Sequence, residues 1–499
     1  MFQLPWLTLL VFWPLIGGLV VLVLARDRRT ARVAALLVCL AELVLAASAV
    51  WRFAGLGPGT ALAEQAAWIP ALGIRYLLVL DGLSLPFVVL TALIGVCCVL
   101  AAWHEPRERA ALHHALVLAS LGTVQGVFLA GDLFLFMLFW EAQLIPVFFL
   151  IGIFGHGDRV RTAIKFFLFS AVGGLLLFVA VIALGLVSAG SGAGPDFSLA
   201  ALSRLHIPVT TGRWLFAGFL AAFAIKIPLV PVHTWLPDAH TDAPTAGSLI
   251  LAGLLLKTGG YGLIRLALPL FPEAAGAAAP LLAGLGLIGL FFASLVALAQ
   301  EDVKRLVAYS SIGHMGLAVV GAVSGNRLAL AGAVVLMLSH GLTTGALFAL
   351  SGMIGERLGT RRLAALGGIW NRAPRFGAAF LTAVLASAAL PGLSGFVGEI
   401  TIIVGLFASH PTAGILAVLG MVATLVYLLR LARDVLFGPA KSPGAFPDLG
   451  AAEAVLVVSL IAAMVWLGLH PDPVLDLLRG PLGAIADRLA PMAVTWPGW

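Results

Sequence analysis

The sequence predicts an all-α integral membrane protein of about fourteen transmembrane helices, and three observations carry that expectation. Of its 499 residues, 61% are hydrophobic and 10% are charged, whereas soluble domains carry about 25% charged residues. Apolar runs of bilayer length, about 20 residues each, recur from end to end. Basic residues gather in alternate connections between those runs, as they do when one set of loops is cytoplasmic. These features exclude a soluble multidomain enzyme. The net charge of +6 sits on membrane-flanking connections, so no nucleic-acid partner is expected.

The runs lie near 5–25, 32–51, 79–102, 112–130, 133–154, 161–188, 213–235, 245–266, 279–299, 304–323, 328–352, 376–407, 412–437 and 451–469. The first is long enough to span and has no basic segment before it, unlike a cleavable leader. The seventh holds Lys226 followed by Pro228 and Pro231. Each proline lacks an N–H, so the carbonyls of Ala224 and Ile227 are expected to lose their helical partners. The ninth and tenth runs are separated by the charged segment EDVKR. The twelfth is too long for one simple span and contains Pro391-Gly392, so it too should be broken.

The basic residues orient this stack. Nineteen fall on one side, in the groups Arg26–Arg32, Arg107 and Arg109, Arg159–Lys165, Lys304 and Arg305, Arg357–Arg375, and Arg430–Lys441. Eight fall on the other, and the last two, Lys226 and Lys257, are intramembrane. The richer side is then cytoplasmic, with both termini outside.

The titratable residues also show an internal repeat. Eighty-five residues separate Glu141 from Lys226, and 85 separate His314 from Glu399; 31 separate Lys226 from Lys257, and 31 separate Glu399 from Arg430. The two sets are offset by 173 residues and five helices, and an odd number of helices reverses direction. Helices four to eight and nine to thirteen would be inverted-topology repeats, with the broken helices seven and twelve in matching places. The expected division is 1–111 for helices one to three, 112–268 and 279–438 for the two repeats, and 439–499 for helix fourteen and the tail.

A charge at mid-membrane depth costs about 3 kcal/mol or more and is seldom kept without a use. Lys226 and Lys257 occupy that depth, in FAIKIPLVPVHTW and LLLKTGGYG. Glu141, in LFWEAQLIP, is a candidate partner for Lys226. An ammonium beside a carboxylate favours charge on both, and withdrawing the partner favours release of the lysine's proton. Such a pair is a proton switch; the alternative for Glu141 is a hydrogen-bonded structural carboxyl. Lys257 has a lysine stem too short to snorkel the whole half-thickness. His314 (YSSIGHMG) and His340 (MLSHGLTTG) lie near the centres of helices ten and eleven, either as satisfied core histidines or as a relay. Glu399 follows the break in helix twelve. His233 and His240 lie near the cytoplasmic end of helix seven, where loop capping and proton entry stand as alternatives, because Asp238 and Asp242 are cap residues too. Arg430 reads as an interfacial anchor.

GLGLIG at 284–289 matches the dinucleotide fingerprint but lies inside a transmembrane helix with no preceding strand. Its glycines suit close helix packing. Cys39, Cys97 and Cys98 lie in apolar runs without metal-ligand spacing. With no Walker loop and no HExxH, the chain offers no place for a nucleotide, flavin, iron–sulfur cluster or metal.

FAIKIPLVPVHTWLPDAHTDAPTAGS, LLLKTGGYGL, YSSIGHMG, MLSHGL, LFWEAQLIP and LDGLSL together resemble the antiporter-like subunits of respiratory complex I. The resemblance runs from helix three to helix thirteen, and the helix-seven motif is highly specific. Glu399 is the pattern of that family's subunit M branch (mitochondrial subunit 4 type); subunits L and N carry lysine there. The chain also has no room for the long lateral helix that ends subunit L. The resemblance implies a modulating pair of Glu141 and Lys226, a central relay of Lys257 and His314, Glu399 as the terminal donor toward the outside, and His340 supporting water in the path. It implies no cofactor in this chain; NADH, FMN, iron–sulfur clusters and quinone would belong to partner subunits. Partners would be the other membrane subunits of the assembly, antiporter-like neighbours among them, in a bacterial cytoplasmic membrane. A subunit of a multi-subunit sodium/proton antiporter or membrane-bound hydrogenase would share the fold, and a purely structural scaffold would tolerate neutral substitutions along the charged axis.

Overall fold

The computed structural model describes residues 5–55, 60–105, 108–190, 194–442 and 445–489. Arg107 of the basic count and residues 490–499 of the expected tail lie outside the described residues. The fold is nearly all-helical. Its long helices are α1 (Trp6–Leu24), α2 (Arg28–Ala54), α3 (Leu85–Ala101), α4 (Ala110–Leu129), α5 (Leu133–Phe154) and α6 (Arg159–Ala189). The seventh run forms two pieces, α7a (Val209–Lys226) and α7b (Trp235–Asp242). Then come α8 (Thr245–Leu270), α9 (Pro272–Leu298), α10 (Val303–Val323) and α11 (Arg327–Leu358). The twelfth run is also in two pieces, α12a (Pro374–Ser387) and α12b (Ser394–Ser409), before α13 (Pro411–Leu436), α14 (Ala451–Leu469) and α15 (Asp472–Leu489). Among the described residues eleven of these are long and apolar enough to cross a membrane.

Short polar residues start several helices. Asp132 accepts from the amides of Phe134 and Leu135, Asp302 from that of Arg305, and Asn326 from those of Leu328 and Ala329, satisfying donors that a helix start leaves open. The burial pattern separates inner from outer helices. In α8, α10 and α11 at least 94% of the apolar window is buried, against 28% in α2 and 39% in α6. The buried three carry Lys257, His314 and His340, so those groups are walled off by protein on all sides.

Both breaks fall where prolines place them, but the first is wired differently from the simple expectation. The Ala224 carbonyl does not lose its partner: the Leu229 amide reaches back to it at 2.9 Å. The next carbonyl, that of Ile225, accepts from the indole N–H of Trp235 at 2.9 Å. Trp235 begins α7b, so one side chain ties the two half-helices together across the gap. Removing that donor with Trp235→Phe leaves a buried carbonyl unpaired, which costs about 1–3 kcal/mol. A lower thermal midpoint of the solubilised protein is the expected result, and an unchanged midpoint would contradict this role. The second break spans 388–393, where Ala389 takes a left-handed backbone (φ 57°). The helix resumes at Ser394, so Glu399 stands on regular helix, one turn past the break.

Two elements outside the apolar runs complete the fold. Strands β1 (Leu62–Ile69) and β2 (Ile74–Leu80) pair as an antiparallel hairpin on the face opposite the EDVKR connection. The amphipathic helix α15 buries Val474, Leu478, Leu482 and Ile485, a helical spacing, and lies on the same face. Its Arg488 donates to the carbonyls of Pro269 and Ser203.

Candidate functional site

The site is a line of titratable side chains that begins on α5 with the half-buried Glu141 and continues through buried groups. The Glu141 carboxylate packs directly against Gly174 of α6, where any Cβ would collide with it. Its Oε1 is buried and has no hydrogen-bond partner among the described residues, and neither has Lys226 Nζ. The two are within electrostatic reach but form no direct ion pair. Lys226 Nζ instead sits 5.0 Å from the ring centroid of Trp140, the residue before Glu141; such cation–π contacts stabilise a partly desolvated ammonium. The sequence expected these residues to approach each other, directly or through a water. What it did not show is that an aromatic face stands in the lysine's contact shell.

Lys226 closes α7a, and α8 approaches that end closely because Gly259 has no side chain: a Cβ there would lie 3.0 Å from Lys226 Cβ. Two residues earlier on α8 is Lys257, fully buried. Its Nζ donates to the Ala252 carbonyl of its own helix and meets His340 Nδ1 of α11 at 2.5 Å. Ala252 lies in one of two π turns, Leu251–Leu255 and Leu263–Ala267, that flank Lys257. Such turns often occur at functional sites.

His340 and His314 face each other with ring centroids 5.7 Å apart. His314 Nδ1 lies 2.9 Å from the Ser310 carbonyl and Nε2 lies 3.0 Å from the Ser387 carbonyl. Ser387 ends α12a, so the break in helix twelve frees the carbonyl that His314 uses. A neutral imidazole has one N–H and satisfies one of these carbonyls; an imidazolium satisfies both. His314 therefore gains or loses one of these two bonds, to its own helix or to the broken one according to tautomer, when it gains or loses a proton. Glu399 Oε1 stands 3.5 Å from His314 Nε2, and the carboxyl is 3% exposed. Lys257, His340, His314 and Glu399 thus line up across four helices, with Lys257 on His340 and His314 beside Glu399; the two imidazoles between them adjoin without a hydrogen bond, and His340 Nε2 has no partner among the described residues. His340, expected as a support, lies between Lys257 and His314.

His240 is buried and stacked on Phe348, with centroids 4.3 Å apart and planes 6° from parallel. Both its ring nitrogens lack partners among the described residues, so its side chain caps nothing. The aspartates expected as caps make interhelical contacts instead. Asp238 pairs with Lys165 at 2.6 Å and Arg305 at 3.2 Å, and Asp242 accepts from the Thr162 hydroxyl at 2.6 Å. These contacts pin α7b to α6 and α10. His233 lies edge-on to Phe292 at 5.2 Å and away from the line. Arg430 is exposed and bonds Leu298 O and Asp434, as an anchor does.

Several buried groups escaped the sequence reading, Lys304, Glu42 and Asp81 among them. Lys304, counted among the connection residues, is 1% exposed and donates to the Ala243 carbonyl at 2.5 Å. Glu42 of α2 accepts from Gln125 of α4 at 3.0 Å. Asp81 pairs with Arg265 at 2.5 Å. Asp81 lay inside the quoted motif LDGLSL, and Arg265 follows Lys257 by eight residues, a helical repeat that pointed to it.

The family model for NADH:quinone oxidoreductase/Mrp antiporter transmembrane proteins matches residues 130–425. The chain belongs to that family. Within the family, NADH-quinone oxidoreductase subunit M of Pseudomonas aeruginosa is 42% identical over 99% of this chain and 99% of its own. A chain of respiratory complex I from Thermus thermophilus superposes with a TM-score of 0.89 at 32% identity, covering 97% of this chain and 99% of that one. A chain of the Mrp complex from a Dietzia species shares the fold, with a TM-score of 0.84 at 23% identity over 98% and 99% of the two chains.

Proposed function

We propose that this chain is the M-type, proton-translocating membrane subunit of a complex I-type NADH:quinone oxidoreductase. The observation that carries the proposal is the buried Lys257–His340–His314–Glu399 line across α8, α11, α10 and α12b, in which Lys257 meets His340, the two imidazole rings adjoin, and His314 stands beside Glu399. Each member can gain and lose a proton without leaving the protein interior. Redox chemistry would occur on partner subunits, and this one would convert its energy into proton transfer. We place the EDVKR face in the cytoplasm of a bacterial inner membrane and the hairpin face, with both termini, outside. Helices α4–α8 and α9–α13 are proposed as inverted repeats, which agrees with the breaks at α7 and α12.

In this scheme Glu141 gates the line. When the carboxylate turns toward Lys226 both stay charged; when it turns away, the buried ammonium releases its proton toward Lys257. Glu141→Ala removes the gate. A lysine left charged without a partner would cost about 3–5 kcal/mol, so it is expected to become neutral instead. Proton uptake by proteoliposomes holding the whole complex should fall sharply while assembly persists, and a normal proton-to-electron ratio in that variant would rule the pair out as a gate. A tagged chain should also copurify with a peripheral NADH-oxidising module. Copurification with antiporter subunits alone, and a sodium requirement for transport, would favour the Mrp-type reading.

A further inference from the structure

On the hairpin face a cavity of about 1010 Å³ opens between β2, the end of α8 and α15. Its inner wall holds the Asp81–Arg265 pair, whose side chains are 12% and 18% exposed. The Asp81 carboxylate accepts from the Arg265 guanidinium and from the amides of Leu83 and Ser84, so its oxygens are held by donors. From Arg265 to Lys257 is eight residues of one helix, about 12 Å along its axis. The inner wall of this cavity therefore lies a little over two helical turns from the central lysine.

Three aromatic rings fill that interval. Phe87 of α3, Phe128 of α4 and Tyr261 of α8 have centroids 5.0, 5.2 and 5.8 Å apart. All three are at most 1% exposed. The Tyr261 hydroxyl donates to the Phe128 carbonyl at 2.9 Å, so it is tied to the backbone of α4. That carbonyl lies at the end of α4, where no helical amide follows to claim it.

We propose that Phe87, Phe128 and Tyr261, backed by the Asp81–Arg265 pair, seal Lys257 from water on the hairpin face. This rests on the proton path proposed above. A path open to both faces at Lys257 would let protons run down their gradient, so one side must be closed. A dry aromatic constriction excludes water, and the Asp81–Arg265 ion pair beyond it holds β2–α3 and α8 together at its mouth. The seal directs protons from Lys257 along α11 and α10 to Glu399 instead of straight outward.

The test uses proteoliposomes holding the whole complex, without substrate, and follows the decay of an imposed pH gradient. Tyr261→Ala should speed the decay by about tenfold or more by wetting the constriction, while Tyr261→Phe, which keeps the ring, should stay tight. Adding Lys257→Met to Tyr261→Ala should close the leak. Phe87→Leu is the milder variant if Tyr261→Ala does not assemble, and it too should leak. A tight membrane with either of these variants assembled, a leak that survives Lys257→Met, or an equal leak from Tyr261→Phe would overturn the seal. NADH-driven uptake by the wild type in the same vesicles reports separately on the proposed function.

Discussion

Glu399→Gln is expected to stop proton transfer through this chain while leaving the protein folded. The carboxyl is 3% exposed and faces His314 Nε2 at 3.5 Å. As a neutral acid it suits the membrane interior; once its proton has left, the anion is costly there and draws the next proton along the line. Glutamine keeps the size and the hydrogen bonding but has no proton to give. Loss of a positioned acid–base group lowers proton-transfer rates by about 100-fold or more, and tight coupling should slow NADH oxidation with it. Glu399→Asp retains a carboxyl one methylene shorter and should keep part of the activity. Full pumping by the glutamine variant would make Glu399 structural and move the exit elsewhere.

Lys257→Arg should be as damaging, for a different reason. Arginine keeps the positive charge but does not release its proton at working pH. It also brings a wider head into a site where Nζ already touches Ala252 O and His340 Nδ1. If Lys257 served only to place a charge, arginine would partly restore function. If it passes protons, turnover of the coupled complex should fall as far as in Lys257→Met. Restored turnover with arginine would remove Lys257 from the relay.

Much of this was legible because bilayer-length apolar runs leave few alternatives. The helices appear where hydropathy placed them, and Pro228, Pro231 and Pro391 marked both breaks. Charge at forbidden depth singled out Glu141, Lys226, Lys257 and Glu399. The hairpin was not legible: β2 is short and apolar and merged with the run that became α3. Helix α15 has too many charges to register as a span, and its apolar stripe becomes visible at helical spacing alone. Connections between helices distant in sequence were hidden as well. Nothing local tells that Trp235 caps Ile225, that Lys304 turns inward to Ala243, or that Lys257 meets His340 rather than His314. Glu141 and Lys226 form no direct ion pair, and the ammonium lies over the Trp140 ring instead.

The most direct test of proton passage through this chain is the number of protons taken up per NADH oxidised, measured in sodium-free proteoliposomes for wild type and Lys257→Arg at equal amounts of assembled complex. The wild type should take up protons without sodium, and the arginine variant should show a lower ratio or no uptake at all. Equal ratios, or wild-type uptake that requires sodium, would contradict the assignment of the proton path to this line of residues.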